Sequence, residues 1–416
     1  MDTAEESGAA EPQELLLPQD VQGLKYFQPI LKLLARLHSD ADHPNRTLHY
    51  DQYAALLLLS YFNPLLKGLR GLCAASDLKK VRKELGVAHA SLGSLSEAAR
   101  VFDPELLRAL FLKLAERVSV TNGPARPKGL PLELALIAAD GTLLDALPKM
   151  LWALWLGPHE HAVKLHFQFD VLRCVPVDVA LTPGNGNEKE SLQELLRACC
   201  LYLLDRGYRD YAFYQAIIDA HSSFVARVQG NVAYEVVETR PLSAEARAAG
   251  VESDQVVWLG GKKSGQNLRQ PVRLIKVHVK NPPAHVLKPR LARVNGKAKC
   301  IRTSAQEYDV WLVTDRLDVA AEVLALLYRY RWHIELFFRW FKCVLGCKHL
   351  LSESQEGIAI QIYAALIASL LIMLWTGRKP NRMTLTMVGL YLQGWADEEE
   401  LMAYLKRLPP AQKTSV

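Results

Sequence analysis

Tyr328, Arg331, Glu335 and Lys342 occupy one stretch, Leu327 to Cys343, reading LYRYRWHIELFFRWFKC. As a helix at about 100° per residue, it places the four within about a 60° arc of one face, with Arg339 beside it. A carboxylate is thereby set among cations. Its neighbours Trp332, Ile334, Leu336, Phe337, Phe338, Trp340 and Phe341 are bulky and apolar, so most of the helix should be buried, and a buried Glu needs partners. For Glu335 alone a salt bridge suffices. Two further carboxylates change the picture. Leu134 to Asp140 reads LALIAAD and is followed by Gly141-Thr142, as expected of a central strand delivering Asp140 to its carboxyl end. Leu201 to Tyr208, LYLLDRGY, repeats the pattern with Asp205 and Gly207. One strand-end Asp is commonplace as a helix cap or turn residue. Three ordered carboxylates beside a cationic helix face form a constellation suited to holding hard divalent cations against phosphate.

The set resembles the DDE transposases of the bacterial insertion-sequence IS-four family, whose signature is Tyr, two residues, Arg, three residues, Glu, six residues, Lys. Tyr328, Arg331, Glu335 and Lys342 meet it at every position, and Asp140-Gly141-Thr142 and Asp205-Arg206-Gly207-Tyr208 look like the two aspartate motifs. The similarity runs over roughly residues 45 to 375. It includes HAVKLHFQFDV (His161 to Val171), FVARVQGN (Phe224 to Asn231) and WLVTD (Trp311 to Asp315).

The resemblance implies metal-dependent phosphodiester chemistry, for which there is an independent physical account. Cutting and joining DNA needs an activated water or 3′-hydroxyl and charge stabilisation on the attacking and leaving oxygens, which two divalent ions supply. Hard oxygen donors select Mg²⁺ or Mn²⁺, so Asp140, Asp205 and Glu335 are the expected catalytic and metal-binding residues. Tyr328, Arg331 and Lys342 are implied to grip phosphates of the DNA end, and Arg206 joins them as a DNA-binding candidate. Trp311 stands where relatives that pass through a DNA hairpin place a tryptophan accepting a flipped base; a core aromatic in the strand VWLV is the other reading. Trp332 is either a DNA contact or core.

Composition agrees with this. A chain of 416 residues suffices for two or three domains, and its net charge of +6 is mildly basic. The charge is uneven. From Gln255 to Gln306 there is no Asp or Glu, while Lys262, Lys263, Arg269, Arg273, Lys276, Lys280, Lys288, Arg290, Arg293, Lys297, Lys299 and Arg302 all occur. The alternation VRLIKVHVK is strand-like, so the block reads as a β-rich insertion with cations on one face, either attracting a polyanion or simply solvated. The seven cysteines include no CxxC pair, which favours free buried thiols over a zinc site. The apolar stretch Gly357 to Trp375 approaches membrane-span length, but Gln361 interrupts it and a buried core helix is the better reading. No signal peptide opens the chain and no Walker A pattern occurs, so a cytoplasmic, nucleoid-associated protein without membrane or nucleotide cofactor is expected.

The organisation expected is an α/β fold: an RNase H-like catalytic core interrupted by a β-rich insertion, with an N-terminal helical domain and C-terminal helices. The divisions are a disordered tail (1–20), a helical region (21–123) that the resemblance assigns to DNA recognition, the first part of the core (132–231), the basic insertion (232–307), the second part of the core with Glu335 (308–375), and a helical C-terminal segment (376–416). Within the helical region, SLGSLS (Ser91 to Ser96) reads as punctuation, with Ser94 and Glu97 fitting a capping box. The function implied is cut-and-paste transposition by a homodimer in a synaptic complex with double-stranded DNA, both terminal inverted repeats and target. The alternatives are a catalytically silent DNA-binding protein and a plain nuclease of the same fold.

Overall fold

The computed structural model describes residues 24–63, 66, 68–118, 123–147, 149–157, 160–260, 268–280, 290–294, 297–301, 307–344, 346–347, 349–379 and 382–407. The tail expected over 1–20 and several cations of the basic block, Lys262, Lys263, Lys288 and Arg302, lie outside them.

Six helices come first: α1 (Leu24–Leu34), α2 (Tyr50–Phe62), α3 (Gly68–Ser76), α4 (Lys79–Leu85), α5 (Leu92–Val101) and α6 (Pro104–Arg117). The segment SLGSLS does not punctuate; it begins α5. Ser91, not Ser94, is its N-cap, accepting a bond from the Ser94 N–H at 3.0 Å. Asp103 with Pro104 at the first helical position starts α6 in the same manner.

A ten-stranded sheet follows, with β1 (Ala135–Asp145), β2 (Leu154–Gly157), β3 (Glu160–Asp170), β4 (Val175–Pro183), α7 (Glu188–Glu194), β5 (Cys200–Leu204), α8 (Tyr211–Asp219) and β6 (Ser223–Val228). Strands β4, β3 and β1 are antiparallel neighbours, whereas β5 and β6 continue from β1 in parallel. The order β4-β3-β1-β5-β6, hairpin strands first and helix-linked strands after, is that of an RNase H-like core. Strand β1 runs five residues beyond Asp140 because its pairing with β3 continues after the parallel pairing with β5 ends at Ala138. Asp140 is therefore mid-strand rather than at the strand's end.

The insertion comprises β7 (Tyr234–Thr239), α9 (Ala244–Ala248), β8 (Val251–Leu259), β9 (Val272–Lys280) and the separate hairpin β10 (Arg290–Val294) and β11 (Lys297–Ile301). Through β12 (Glu307–Thr314), which pairs with both β6 and β9, strands β9, β8 and β7 extend the core sheet. Several of the block's cations are already neutralised by acids from outside it. Lys276 pairs with Glu252 (2.6 Å) and Asp309 (3.0 Å), Arg269 with Asp219, and Arg273 with Asp254. The last pair is buried, the side chains being 3 % and 4 % exposed, and it is bidentate at 2.7 and 2.6 Å. Asp254→Ala leaves that guanidinium uncompensated and is expected to cost about 3–5 kcal/mol, read as a lowered midpoint in thermal or urea unfolding.

The chain closes with α10 (Ala321–Tyr330), α11 (Trp332–Arg339), a π-helical turn (Trp340–Val344), α12 (Gln355–Thr376), α13 (Arg382–Leu392) and α14 (Glu398–Arg407). Ser354 caps α12 and Gly377, at φ 65°, ends it. This is the helix of membrane-span length, and 94 % of its most apolar window is buried within the protein against α2, α5 and α6. One apolar cluster joins those helices, α12 and the β1–β3 face of the sheet. Cys174, Cys200 and Cys347 are buried free thiols, but Cys199 is exposed.

Candidate active site

Register brings the two aspartates together. Ala138 on β1 is the parallel partner of Leu203 on β5, so Asp140 and Asp205, each two residues further on, stand side by side where the strands part. Neighbouring strands are about 4.8 Å apart. Each carboxylate is fixed by the next peptide: the Gly141 N–H donates to Asp140 Oδ1 and the Arg206 N–H to Asp205 Oδ1, both at 2.8 Å.

Aromatic packing supplies the third member. Asp140 pairs across the ladder with Phe167 of β3, so the two side chains share a sheet face. Phe337, Phe338 and Phe341 surround the Phe167 ring with centroids 5.5, 5.5 and 5.6 Å away. The contacts dock α11 on the face that carries Asp140. The signature stretch is not one regular helix: α10 ends at Tyr330, Arg331 lies at the junction with α11, and Lys342 is in the π-helical turn. Arg331 keeps helical dihedrals (φ −49°, ψ −32°), so the junction is a tightened turn in a continuing helical path.

Arg331 is the hub. Its Nη1 is 3.0 Å from Asp140 Oδ2, and its Nη2 is 2.8 Å from Glu335 Oε1 and 4.0 Å from Asp205 Oδ2. The Tyr328 hydroxyl donates to Asp205 Oδ1 at 3.3 Å, and Lys342 Nζ donates to the Leu143 carbonyl at 3.2 Å. Three carboxylates from β1, the end of β5 and α11 thus converge on one guanidinium. They are splayed around it. Among the described residues the three acidic or histidine side chains with ligand atoms within 4.8 Å of one another are Glu252, His278 and Asp309, in the Lys276 ion-pair network.

The electrostatics divide the aspartates. Burial raises Asp140 to about 6, with Glu335 and Glu188 adding to the rise and Arg331 and the Gly141 N–H opposing it. Burial also works against ionised Asp205, but Arg331, the Arg206 N–H, Arg227 and Tyr328 bring it below its ordinary value. Tyr328 is pushed up to about 12 by burial and by Asp205, so it stays a hydroxyl donor. Burial opposes the charge of Arg331, and Tyr328, Asp140, Asp205 and Glu335 together hold it protonated. Because the folded pKa of Asp140 lies above the ordinary 3.8, protonated Asp140 favours the fold below that value, and the contribution is lost as pH rises through about 6. Asp140→Asn should therefore stabilise the fold in a chelator near pH ~8 by no more than about 3 kcal/mol, read as a raised melting temperature, with the gain vanishing near pH ~4.

The donor set, all oxygen and negative and gathered about a single positive charge, fits Mg²⁺ or Mn²⁺. The remaining candidates lie further out. Trp311 is half-buried in β12, its indole against Gly230, where a Cβ would come within 2.8 Å of Nε1, and its ring 5.8 Å from the Lys276 ammonium. Trp332 is half-buried and the Arg206 side chain exposed. Three residues near the site were not singled out from sequence. Arg227 lies in FVARVQGN, Lys164 in HAVKLHFQFDV, and Glu188 opens α7; a charged residue in an otherwise apolar strand was the available signal for the first two.

Comparison with known proteins agrees with the geometry. Residues 133–371 match the family described as "Transposase DDE domain". The chain is 27 % identical over 250 residues to a putative transposase, y4zB, of Sinorhizobium fredii (strain NBRC 101917 / NGR234), the match spanning 58 % of this chain and 62 % of that protein. It is 24 % identical over 289 residues to the probable transposase for insertion sequence element IS5377 of Geobacillus stearothermophilus, spanning 69 % of this chain and 68 % of that protein. Among solved structures, a chain of the piggyBac transposase synaptic complex with hairpin DNA is similar at TM-score 0.40 and 11 % identity, covering 95 % of this chain and 87 % of that one. The family match takes in Asp140, Asp205, Tyr328, Arg331, Glu335 and Lys342, and the chain belongs to the DDE-domain transposases.

Proposed function

We propose that the protein cuts DNA at transposon ends and joins the freed 3′ ends to target DNA, with Asp140, Asp205 and Glu335 holding two Mg²⁺ or Mn²⁺ ions. The observation that carries this reading is the convergence of those carboxylates, from three elements distant in sequence, on the single cation Arg331. When bound, the ions activate the attacking water or 3′-hydroxyl and neutralise charge on the attacking and leaving oxygens.

The protein's own groups do the positioning. With Oδ1 of each fixed by the peptide that follows, Asp140 and Asp205 turn their Oδ2 oxygens to Arg331. Arg331, displaced from the carboxylates, presents a planar fork to a DNA phosphate, a bidentate contact that Lys in its place could not make. Tyr328 donates its hydroxyl, and Lys342 adds a point charge next to β1. In this reading Trp311 accepts an extruded base, and Trp332 and Arg206 extend the contact with DNA. Terminal inverted repeats and target DNA are the substrates. A homodimer pairing two ends within a synaptic complex is the working assembly, with the helices of residues 21–123 reading the end sequence.

Incubating the protein with Mg²⁺, end DNA and a target plasmid tests this. Joined products are expected. Nicks alone would mark a nuclease, and DNA retention without cutting would mark a binding protein.

A further inference from the structure

We propose that Glu188 is a fourth carboxylate of the metal pocket, with Lys164 as the counter-ion it exchanges for metal; this rests on the reading of Asp140, Asp205 and Glu335 as metal ligands. Glu188 is the first residue of α7, and its position is fixed by the cap before it, where Asn187 accepts a bond from the Lys189 N–H at 3.0 Å.

From there the side chain reaches the glycines that follow both aspartates. A Cβ on Gly141 would stand 2.8 Å from Glu188 Oε1, and one on Gly207 would stand 3.6 Å from Oε2. The two oxygens therefore bridge the chain segments that carry Asp140 and Asp205. At position 141 a Cβ would meet the far end of the Glu188 side chain.

The partner of Glu188 is of a kind that can be exchanged. Lys164 Nζ lies 2.8 Å from Glu188 Oε1 and 3.3 Å from the Gly186 carbonyl, at the end of a flexible stem on β3. Glu188 is 28 % exposed, so pairing with Lys164 contributes only about 1 kcal/mol or less and does not by itself explain a carboxylate placed beside the glycines that follow both aspartates. Among the described residues, Arg331 and Lys164 are the cations ion-paired with these four carboxylates, while Arg227 acts on Asp205 without an ion pair and Lys342 is held by the Leu143 carbonyl.

The test is Mn²⁺ binding to the full chain without DNA, followed by the electron paramagnetic resonance of free Mn²⁺. Glu188→Gln is expected to weaken binding about tenfold or more, and Glu188→Asp, which keeps the charge but withdraws the oxygens by one methylene, severalfold. Asp140→Asn is the control for the underlying reading. If Asp140→Asn loses Mn²⁺ while both Glu188 variants bind as wild type does, the inference falls and the active site stands. If Asp140→Asn binds unchanged, or the wild type binds none, both fall. Should Glu188→Gln fail to fold, judged by circular dichroism, the Glu188→Asp result decides: unchanged affinity overturns the proposal.

Discussion

Asp140→Asn, Asp205→Asn and Glu335→Gln, each made singly, should lower end cleavage by at least ~10³-fold while leaving end-DNA binding within a few-fold of wild type. Several kcal/mol of transition-state stabilisation pass through these ligands, and each 1.36 kcal/mol is about tenfold in rate. The effect should be equal-handed, because each residue is the contribution of one element and none duplicates another. The aspartates stand together through the β1–β5 register, and Glu335 reaches them through the aromatic docking of α11. A gel assay on labelled end DNA, with mobility-shift measurements alongside, reads both quantities. Cleavage by all three variants at wild-type rates would end the assignment.

Removing the hub has a different and more diagnostic signature. Arg331→Ala deletes the cation that three carboxylates share, so the fold should lose about 2–4 kcal/mol near pH ~8. That is less than for a fully enclosed pair, because Asp205 and Glu335 keep 42 % and 34 % of their side-chain exposure. Without Arg331 the pKa values of Asp140 and Asp205 rise, and a group with a raised folded pKa favours folding at low pH. The deficit should therefore shrink as the pH is lowered. Mg²⁺ should also raise the melting temperature of the variant more than that of the wild type, because a divalent ion no longer competes with the guanidinium for the same oxygens. End cleavage should nevertheless fall, since the phosphate fork is gone. A variant as stable as wild type at every pH, with unchanged response to Mg²⁺, would show that Arg331 is not the competitor its geometry indicates.

On the proposed function, Arg331 would leave the carboxylates for a DNA phosphate as metal enters, so metal loading and end binding should be coupled. Calorimetric Mn²⁺ titration with and without end DNA would measure that coupling as a change in affinity.

Much of this was legible in the chain itself. Asp140, Asp205 and Glu335 stand out as candidates because an apolar run ending in Asp with a glycine close behind, and a 3.6-residue period, are local properties; the signature around Glu335 and the RNase H-like core were implied by the family resemblance. Sequence also distinguished α12 from a membrane span by its polar interruption at Gln361, whose side chain accepts from the Leu351 N–H and donates to the His349 carbonyl.

Other features belong to the tertiary structure, since they depend on contacts between residues far apart in sequence. The continuation of β1 past Asp140 is decided by pairing with β3, and the docking of α11 on the sheet by aromatic rings around Phe167. A count of cations from Gln255 to Gln306 overstated the charge available to DNA, because Asp219, Glu252, Asp254 and Asp309 approach from outside that block. Glu188 and Lys164 were unremarkable as letters and become neighbours of the active site only when β3, α7, β1 and the segment after β5 meet. Local pattern determined which groups could do chemistry; long-range packing decided that their charges meet at Arg331.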